Sequence, residues 1–211
     1  MITVLLTLHT SQRLQEEIHV QARHDTLTEA YNRRAFIEFA DKEWSRSVRH
    51  GYPFSILSVD IDHFKIFNDQ HGHQTGDIAL VQVSKSAQAA LRLNDIWCRY
   101  GGEEFVALLP NTAMDQAMAV AERLRSSVEN TTIASPRGLL SVSVSIGVAE
   151  HSSNHSNLSE VLAISDAALY KAKAAGRNRV VAGGIEEYLA LHGANATDQS
   201  LDASVIEIRN P

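Results

Sequence analysis

A predicted β-hairpin with an acidic tip, at residues 95–109, constrains the fold of this 211-residue chain more than any other segment. Two apolar stretches rich in β-forming residues flank the sequence RYGGEEF (99–105), which predicts two antiparallel strands joined by a tight turn. Gly101 and Gly102 permit positive φ in such a turn and let a large ligand approach the main chain. The carboxylates of Glu103 and Glu104 can lie beside a polyphosphate only with a divalent cation between them. Taken alone, the turn is equally compatible with a solvated loop of no function.

The elements around the hairpin predict a sheet with helices packed on it. Apolar residues at helical spacing indicate four helices, and short runs of β-forming residues indicate three further strands. The helices are expected over about residues 32–50, 76–91, 114–128 and 158–174, and the strands over about 54–62, 140–148 and 179–181. This order predicts an α+β fold with a mostly antiparallel central sheet of about five strands surrounded by helices.

Local patterns add detail to this outline. Asp25 or Thr28 is expected to cap the helix at 32–50. Residues 68–77 are polar and rich in turn formers, and they predict a loop. Strict alternation in 140–148 predicts a strand with one buried and one polar face.

Composition restricts the class of protein. The content of 44% hydrophobic and 21% charged residues is typical of a globular domain, here expected over residues 25–182. A formal net charge of −6 argues against a nucleic-acid-binding surface, so phosphate binding must rely on a metal and a few placed cations. The single cysteine, Cys98, excludes an intrachain disulfide and a cysteine metal site, and it predicts a packed thiol in a reducing, cytoplasmic compartment.

The two ends of the chain differ from this domain. No stretch has the length needed to span a bilayer. A partial apolar stripe in residues 1–24 predicts a helical or coiled-coil linker, which either ends a sensor or membrane connection or simply begins a helix. Residues 183–211 have little periodicity and are interpreted as a tail.

Carboxylates at the end of the strand 54–62 form a second acidic group. Asp60 and Asp62 are two residues apart, so their side chains are expected on one face. If the hairpin lies beside this strand, Asp60 and Glu103 converge on one site. Mg²⁺ binds through one or two carboxylates together with phosphates and water, and two such ions can activate a hydroxyl and neutralise a leaving pyrophosphate. The alternative is that Asp60 only caps a helix that begins near His63.

Cations and amides follow these acids along the chain. Lys173 and Arg177 lie at the end of the last predicted helix, where the helix dipole alone accounts for basic residues. Asn68 and Asp77 together can recognise the hydrogen-bonding edge of a purine, although each is also typical of turns and caps. Lys65 lies just beyond the strand that carries Asp60.

Four motifs in the same order resemble those of GGDEF-domain diguanylate cyclases. Segment 59–77 (VDIDHFKIFNDQHGHQTGD) resembles the second signature of the family, and RYGGEEF matches its naming signature in the Glu variant. The segments DTLT and NRR within 25–34 resemble the opening motif, and the segment DAALYKAKAAGRN at 166–178 resembles the closing motif. The resemblance covers about residues 24–182. It implies a ferredoxin-like palm fold of the nucleotidyl-cyclase type and the condensation of two GTP molecules into cyclic di-GMP with loss of two pyrophosphates.

The resemblance also implies residue roles, which are carried over by position. Asp60, the carbonyl of Ile61 and Glu103 would bind two Mg²⁺ ions, for which Mn²⁺ can substitute, with Glu104 beside the metals and the reacting 3′-hydroxyl. Asn68 and Asp77 would recognise guanine. The remaining GTP contacts would come from His63, Phe64, Lys65, Gly101, Gly102, Lys173 and Arg177.

Regulation and assembly are part of the same resemblance. Arg92 and Asp95 form an Arg-x-x-Asp motif that resembles the inhibitory product site of the family. A guanidinium can stack on or bind the Hoogsteen edge of a guanine, whereas an isolated pair of this kind is commonly a surface ion pair. The product has two identical 3′–5′ links, so two sites must face each other across a two-fold axis, which predicts a homodimer.

Two points bear on whether such a domain is active. The opening motif has Glu29 and Ala30 where the family usually has Gly-Leu, and a glycine tolerates φ values that glutamate does not. The alternative function is a catalytically silent GGDEF domain that acts as a receptor for GTP or cyclic di-GMP, or as an interaction module. Silent members usually lack a metal-binding acid or a turn glycine, and this chain keeps all of them, which favours the enzyme.

Overall fold

The computed structural model describes residues 23–136, 138–153 and 155–184, so the predicted linker 1–24 and tail 183–211 lie almost entirely outside the described residues. Eight strands and five helices occupy these residues. The strands are β1 Tyr31–Asn32, β2 Phe54–Ile61, β3 Ile96–Gly101, β4 Glu104–Pro110, β5 Ile133–Ser135, β6 Gly138–Leu140, β7 Val144–Glu150 and β8 Val180–Ala182. The helices are α1 Arg33–His50, α2 Phe64–His71, α3 His73–Ala89, α4 Met114–Glu129 and α5 Leu158–Ala174. None of these helices has the length and apolarity that a bilayer crossing requires.

Six strands form one mixed sheet in the order β1-β3-β4-β2-β7-β8, and β5 pairs with β6 separately. The three inner pairings are antiparallel, whereas β1 and β8 are parallel to their neighbours at the two edges. The predicted α+β fold with a mostly antiparallel sheet is confirmed. The sheet has six strands rather than the expected five. The additional strand, β1, was not predicted because it is only two residues long and is too short to show an alternating pattern.

Helices cover both faces of the sheet. Val59 and Ile61 of β2 pack in one cluster with apolar residues of α2, α3 and α4. Phe54 and Ile56 of the same strand pack in a second cluster with residues of α1 and α5. Every residue of β2 is therefore buried.

The predicted polar face of the strand at 140–148 is wrong. The strand is interrupted, and in β7 the residues of both faces are buried, including Ser145. Helix α5 packs on this face because Gly147 has no side chain: a Cβ there would overlap the backbone of Ser165 and Leu169. Of the three alternating serines, Ser145 is therefore buried, Ser143 is half-buried and only Ser141 is exposed.

Two local predictions are also corrected. Residues 68–77 are helical, since α2 and α3 follow each other directly with Gly72 between them at φ +81°. The N-cap of α1 is Asn32, whose side chain accepts a hydrogen bond from the amide of Ala35 at 3.0 Å. Asp25 instead accepts hydrogen bonds within its own turn, from the amide and hydroxyl of Thr28.

Candidate active site

Three carboxylates meet where β2 ends beside the β3–β4 hairpin. Asp60 lies opposite Glu104 in the antiparallel register, and the amide of Ile61 donates to the carbonyl of Glu103 at 3.4 Å. The structure therefore places the hairpin tip next to the strand end, as the convergence of Asp60 and Glu103 requires. Asp60 is only 6% exposed, whereas Glu104 is exposed.

The glycine turn is held by an arginine rather than by left-handed glycines. Neither Gly101 nor Gly102 has a φ in the left-handed region, so the predicted positive φ is wrong. Arg99 donates from Nε and Nη2 to the carbonyl of Gly102, at 3.0 and 2.8 Å, and from Nη1 to Asp25 at 3.1 Å. A Cβ at Gly102 would meet nothing within 4 Å, so the main chain there is open to a ligand.

The acids repel one another, and this is visible in their pKa values. Burial raises the pKa of Asp60 above its ordinary value, against the opposing effect of Lys173. Burial and the charges of Asp60 and Glu104 also raise the pKa of Glu103. A cation placed between these oxygens would relieve the repulsion.

The side chains at this site fit a magnesium ion that is bound partly by the protein and partly by a substrate. No group of three or more His, Cys, Asp or Glu side chains among the described residues is arranged to hold a metal alone. Mg²⁺ needs fewer protein ligands than this, because phosphates and water complete its shell. The crowded carboxylates of Asp60 and Glu103 beside the open backbone of Gly102 meet that requirement.

Lys173 supplies the nearest positive charge. Its Nζ lies 2.9 Å from Oδ2 of Asp60, and its side chain is 33% exposed. The alternative role for Asp60, capping of the next helix, does not fit, because α2 begins after His63 in a left-handed conformation without a side-chain cap. Lys173 is thus within reach of both the acids and the solvent in front of them.

The predicted purine-binding residues lie on adjacent helices. Oδ1 of Asn68 is buried and has no hydrogen-bond partner. The Asn68 amide lies directly against Gly76, and the residue that follows Gly76 on the helix, Asp77, is exposed. An unpaired buried acceptor is costly unless a ligand satisfies it. Both groups can accept hydrogen bonds from the N–H groups of a guanine edge.

The predicted phosphate-binding residues are placed differently from one another. Lys65 and His63 are exposed at the start of α2, and Arg177 follows the end of α5. The side chain of Phe64 is 5% exposed and packs in the core, which leaves its backbone amide as the group available for the predicted GTP contact. The amides of the first turn of a helix have no intrahelical partner and favour an anion.

The Arg92–Asp95 pair lies on the turn after α3. The Asp95 carboxylate accepts from the amide of Arg92 at 2.8 Å, so it fixes the turn rather than pairing with the guanidinium. Arg92 is exposed and lines two depressions, with volumes of about 220 and about 660 Å³. A simple surface ion pair between the two side chains is therefore not what the structure contains.

The comparisons with known proteins agree with this geometry. The sequence profile described as "Diguanylate cyclase, GGDEF domain" matches residues 22–179. This chain belongs to the GGDEF domain family. It is 38% identical over 182 residues to diguanylate cyclase DgcM of Escherichia coli K12, covering 86% of this chain and 43% of DgcM. It is 40% identical over 159 residues to the response regulator PleD of Caulobacter vibrioides, covering 74% of this chain and 35% of PleD. The chain thus spans less than half the length of these two relatives.

Solved GGDEF domains share the fold. The coiled coil and GGDEF domain of DgcB from Caulobacter crescentus, in complex with c-di-GMP, matches with a TM-score of 0.81 and 31% identity, over 86% of this chain and 96% of that chain. The active GGEEF domain of a diguanylate cyclase from Vibrio cholerae matches with a TM-score of 0.69 and 33% identity, over 72% of this chain and 97% of that chain. The predicted family and palm-type fold are confirmed.

Sequence reasoning missed some residues that shape this GGDEF site. Arg99 stands inside the hairpin motif, yet its bonds to Asp25 and to the turn were not predicted, because Asp25 is 74 residues away. A cation two residues before a Gly-Gly turn is the signal that could have indicated it. Glu29 has φ +59°, so the departure from glycine in the opening motif does place a glutamate in the left-handed region.

Proposed function

We propose that this GGDEF domain is a diguanylate cyclase that converts two GTP molecules into cyclic di-GMP and two pyrophosphates. In each of two steps the 3′-oxygen of one GTP attacks the α-phosphorus of the other. The bond from that phosphorus to the bridging β-phosphate oxygen breaks, pyrophosphate leaves with that oxygen, and the hydroxyl proton passes to water. The observation that carries the proposal is the meeting of Asp60, Glu103 and Glu104 beside Lys173 and an open Gly102.

The acids account for the charge chemistry. Asp60, Glu103 and the Ile61 carbonyl would hold two Mg²⁺ ions, for which Mn²⁺ can substitute, and these ions would polarise the phosphates and the attacking hydroxyl. Glu104 is exposed at the start of β4, opposite Asp60, and can accept a hydrogen bond from a 3′-hydroxyl. Catalysis of phosphoryl transfer relies on such alignment and charge neutralisation more than on covalent steps.

The flanking groups account for GTP binding. Asn68 and Asp77 would accept hydrogen bonds from guanine, with the buried Oδ1 of Asn68 as the supporting observation. The β- and γ-phosphates would lie against Lys65, Lys173 and Arg177. The backbone amides of His63 and Phe64 at the start of α2 would add donors, because the N-terminus of a helix attracts an anion.

Two copies are needed to complete the reaction. One GTP per domain supplies one 3′-hydroxyl and one α-phosphate, and a symmetric ring requires two of each on facing sites. The active species would therefore be a homodimer that forms at least during turnover. We expect the rate per chain to rise with protein concentration, since the second site is supplied by association.

Product binding at Arg92 and Asp95 would provide feedback. Asp95 fixes the turn through the Arg92 amide, which leaves the guanidinium free to stack on or bind a guanine of cyclic di-GMP. Arg92→Ala should retain activity and lose inhibition by added cyclic di-GMP. Inhibition that persists unchanged in this variant would refute the assignment. A cytoplasmic location would supply the GTP.

The direct test is incubation with GTP and Mg²⁺ at high protein concentration, followed by chromatography of the products. We expect cyclic di-GMP and pyrophosphate in a ratio of about one to two, as the two condensation steps require. Glu103→Gln should abolish product while thermal unfolding shows that the chain remains folded. Asp41→Asn, which alters an exposed acid on α1, is the matched control and should retain activity. Bound GTP without any product in the parent chain would favour a silent nucleotide receptor instead.

A further inference from the structure

The turn after α5 is built from three successive residues with positive φ. Gly176 has φ +112°, Arg177 has φ +62° and Asn178 has φ +47°. Glycine adopts such values without penalty and asparagine tolerates them, whereas arginine does so only when its surroundings hold it there. Strained backbone of this kind is concentrated at functional sites. Here it presents Arg177, the proposed phosphate ligand, directly after the helix that carries Lys173.

Asn178 is held from three sides. Its backbone amide donates to Oδ2 of Asp62 at 3.0 Å. Its side chain donates from Nδ2 to Oε1 of Glu129 at 2.7 Å and accepts at Oδ1 from Nη1 of Arg125 at 2.7 Å. The side-chain amide thus uses both its donor and its acceptor on one helix, α4. The Arg177 amide donates to the Ala172 carbonyl at 3.0 Å, which ties the turn back to α5.

Asp62 anchors the backbone end of this arrangement. It is 6% exposed, and its carboxylate also accepts from the hydroxyls of Ser143 and Ser145, each at 2.7 Å. All of these partners are neutral, so the carboxylate is fixed by hydrogen bonds and not by an ion pair. It connects the end of β2, which carries Asp60, to the turn that carries Arg177.

Arg125 and Glu129 anchor the side-chain end. Arg125 is 13% exposed and pairs with Glu122 at 2.6 Å and with Glu129 at 2.8 Å. The hydrogen bonds from Arg125 and Asn178 hold the pKa of Glu129 below its ordinary value, so its carboxylate is ionised and remains an acceptor. Isolated surface ion pairs contribute little to stability. The pair Arg125–Glu129 differs, because both residues hydrogen-bond to the side chain of one residue in the strained turn, Asn178.

We infer that Arg125 and Glu129 are positioning residues for GTP binding, acting through Asn178 to keep Arg177 directed at the phosphates. The inference rests on the proposed function, because it assumes that Arg177 contacts the triphosphate. Lys173 needs no such support, since it is part of α5. Arg177 lies beyond the helix, and its direction depends on the turn.

The test compares three variants by KM for GTP, kcat and thermal unfolding of the full chain. Asn178→Gly removes the side-chain anchor, keeps the amide that donates to Asp62 and accommodates the positive φ. Arg125→Met removes the guanidinium and keeps an apolar stem. We expect both to raise KM about tenfold, as loss of one charge-assisted contact to phosphate would, with a smaller change in kcat. Glu129→Gln, which keeps the shape of the side chain, tests the same point where Arg125→Met unfolds the chain, and it too should raise KM.

Glu122→Gln is the matched control. It removes a partner of Arg125 that does not touch Asn178, and KM should stay unchanged. The decisive comparison is the Arg177→Ala background, where Asn178→Gly should have no further effect on KM because the residue that it positions is absent.

The outcomes separate the inference from the proposed function. If Arg177→Ala leaves KM unchanged, the assumed phosphate contact is wrong and the inference is overturned with it. If Arg177→Ala raises KM but Asn178→Gly and Glu129→Gln do not, the positioning role alone is refuted. An equal effect of Asn178→Gly with and without Arg177 would assign the network to structure only, which also overturns the inference.

Discussion

Substitution of Gly76 by alanine tests the proposed guanine contact without altering any polar group. Gly76 lies within α3 with helical backbone, so alanine is compatible with its conformation. The three atoms nearest to an added Cβ all belong to Asn68: Cγ would be 2.9 Å away, Nδ2 3.4 Å away and Oδ1 closer still. Ordinary contacts of a Cβ begin at about 3.4 Å, so the Asn68 amide must rotate or shift away from residue 76.

The substitution changes two free energies, that of folding and that of nucleotide binding. Alanine in place of glycine inside a helix stabilises it by about 1 kcal/mol, which offsets the cost of moving the Asn68 amide in the ligand-free protein. The displaced amide no longer meets the guanine edge, and a nucleotide donor or acceptor left without a partner costs about 1–3 kcal/mol. That loss corresponds to about 5- to 150-fold weaker binding. Thermal unfolding should therefore change little while affinity falls.

The assay is a titration with α,β-methylene-GTP, in which a carbon atom replaces the oxygen of the bond that breaks, together with KM for GTP from pyrophosphate release. The control is the pair Asn68→Ala and Asn68→Ala/Gly76→Ala. Once the amide is absent, the added Cβ has nothing to displace, so the two proteins should bind the nucleotide equally. The double variant should also unfold at a temperature at least as high as that of the single one.

Either of two results would refute this reasoning. Unchanged affinity in Gly76→Ala would mean that guanine recognition does not depend on the position of the Asn68 amide. A further loss of affinity on adding Gly76→Ala to Asn68→Ala would mean that the methyl group acts on the nucleotide or the helix directly.

Three further predictions concern pH, backbone strain and the thiol. The fold raises the pKa of Glu103, so ionisation of this carboxyl lowers the stability of the folded state as pH rises through that pKa. Glu103→Gln should therefore unfold at a higher temperature than the parent at about pH 8. The difference should vanish below the ordinary glutamate pKa of about 4.3. Glu29→Gly should raise the free energy of unfolding in urea by up to about 1 kcal/mol, because φ +59° is strained for glutamate, and a decrease would contradict this account. Cys98 is fully buried and burial raises its pKa to about 12, so a thiol reagent at pH 8 should label it only at the rate at which the protein opens; fast labelling without urea would exclude a packed thiol.

Much of the fold could be predicted because its signals are local. The hairpin, the strand 54–62 and the helix 158–174 each have a period or a turn that is complete within a few residues, and all three are present. Gly72 misled the prediction at 68–77, since one glycine between two helices resembles the centre of a loop. Ser145 of β7 resembled part of a solvated face because the helix that covers it is remote in sequence.

The candidate site also has a part that could be predicted from the sequence and a part that could not. The inventory of acids and cations, and the expectation that Asp60 and Glu103 converge, came from motif spacing and from the resemblance to the GGDEF family. Phe64 was assigned to GTP from its place in a motif, but its side chain belongs to the core. The left-handed φ expected for Gly101 and Gly102 is absent there, whereas Arg177 and Asn178, directly after Gly176, do adopt it.

By itself, the sequence determined which chemical groups this GGDEF domain has and the order in which they follow along the chain, since motifs and periods depend on neighbouring residues. Only the tertiary structure decided that Lys173 pairs with Asp60, that Arg99 ties the hairpin turn to Asp25, and that Asp62 supports a turn 116 residues away. Such contacts depend on the order of strands in the sheet and on which helix covers which face. Those arrangements follow from the packing of the whole core rather than from any one segment.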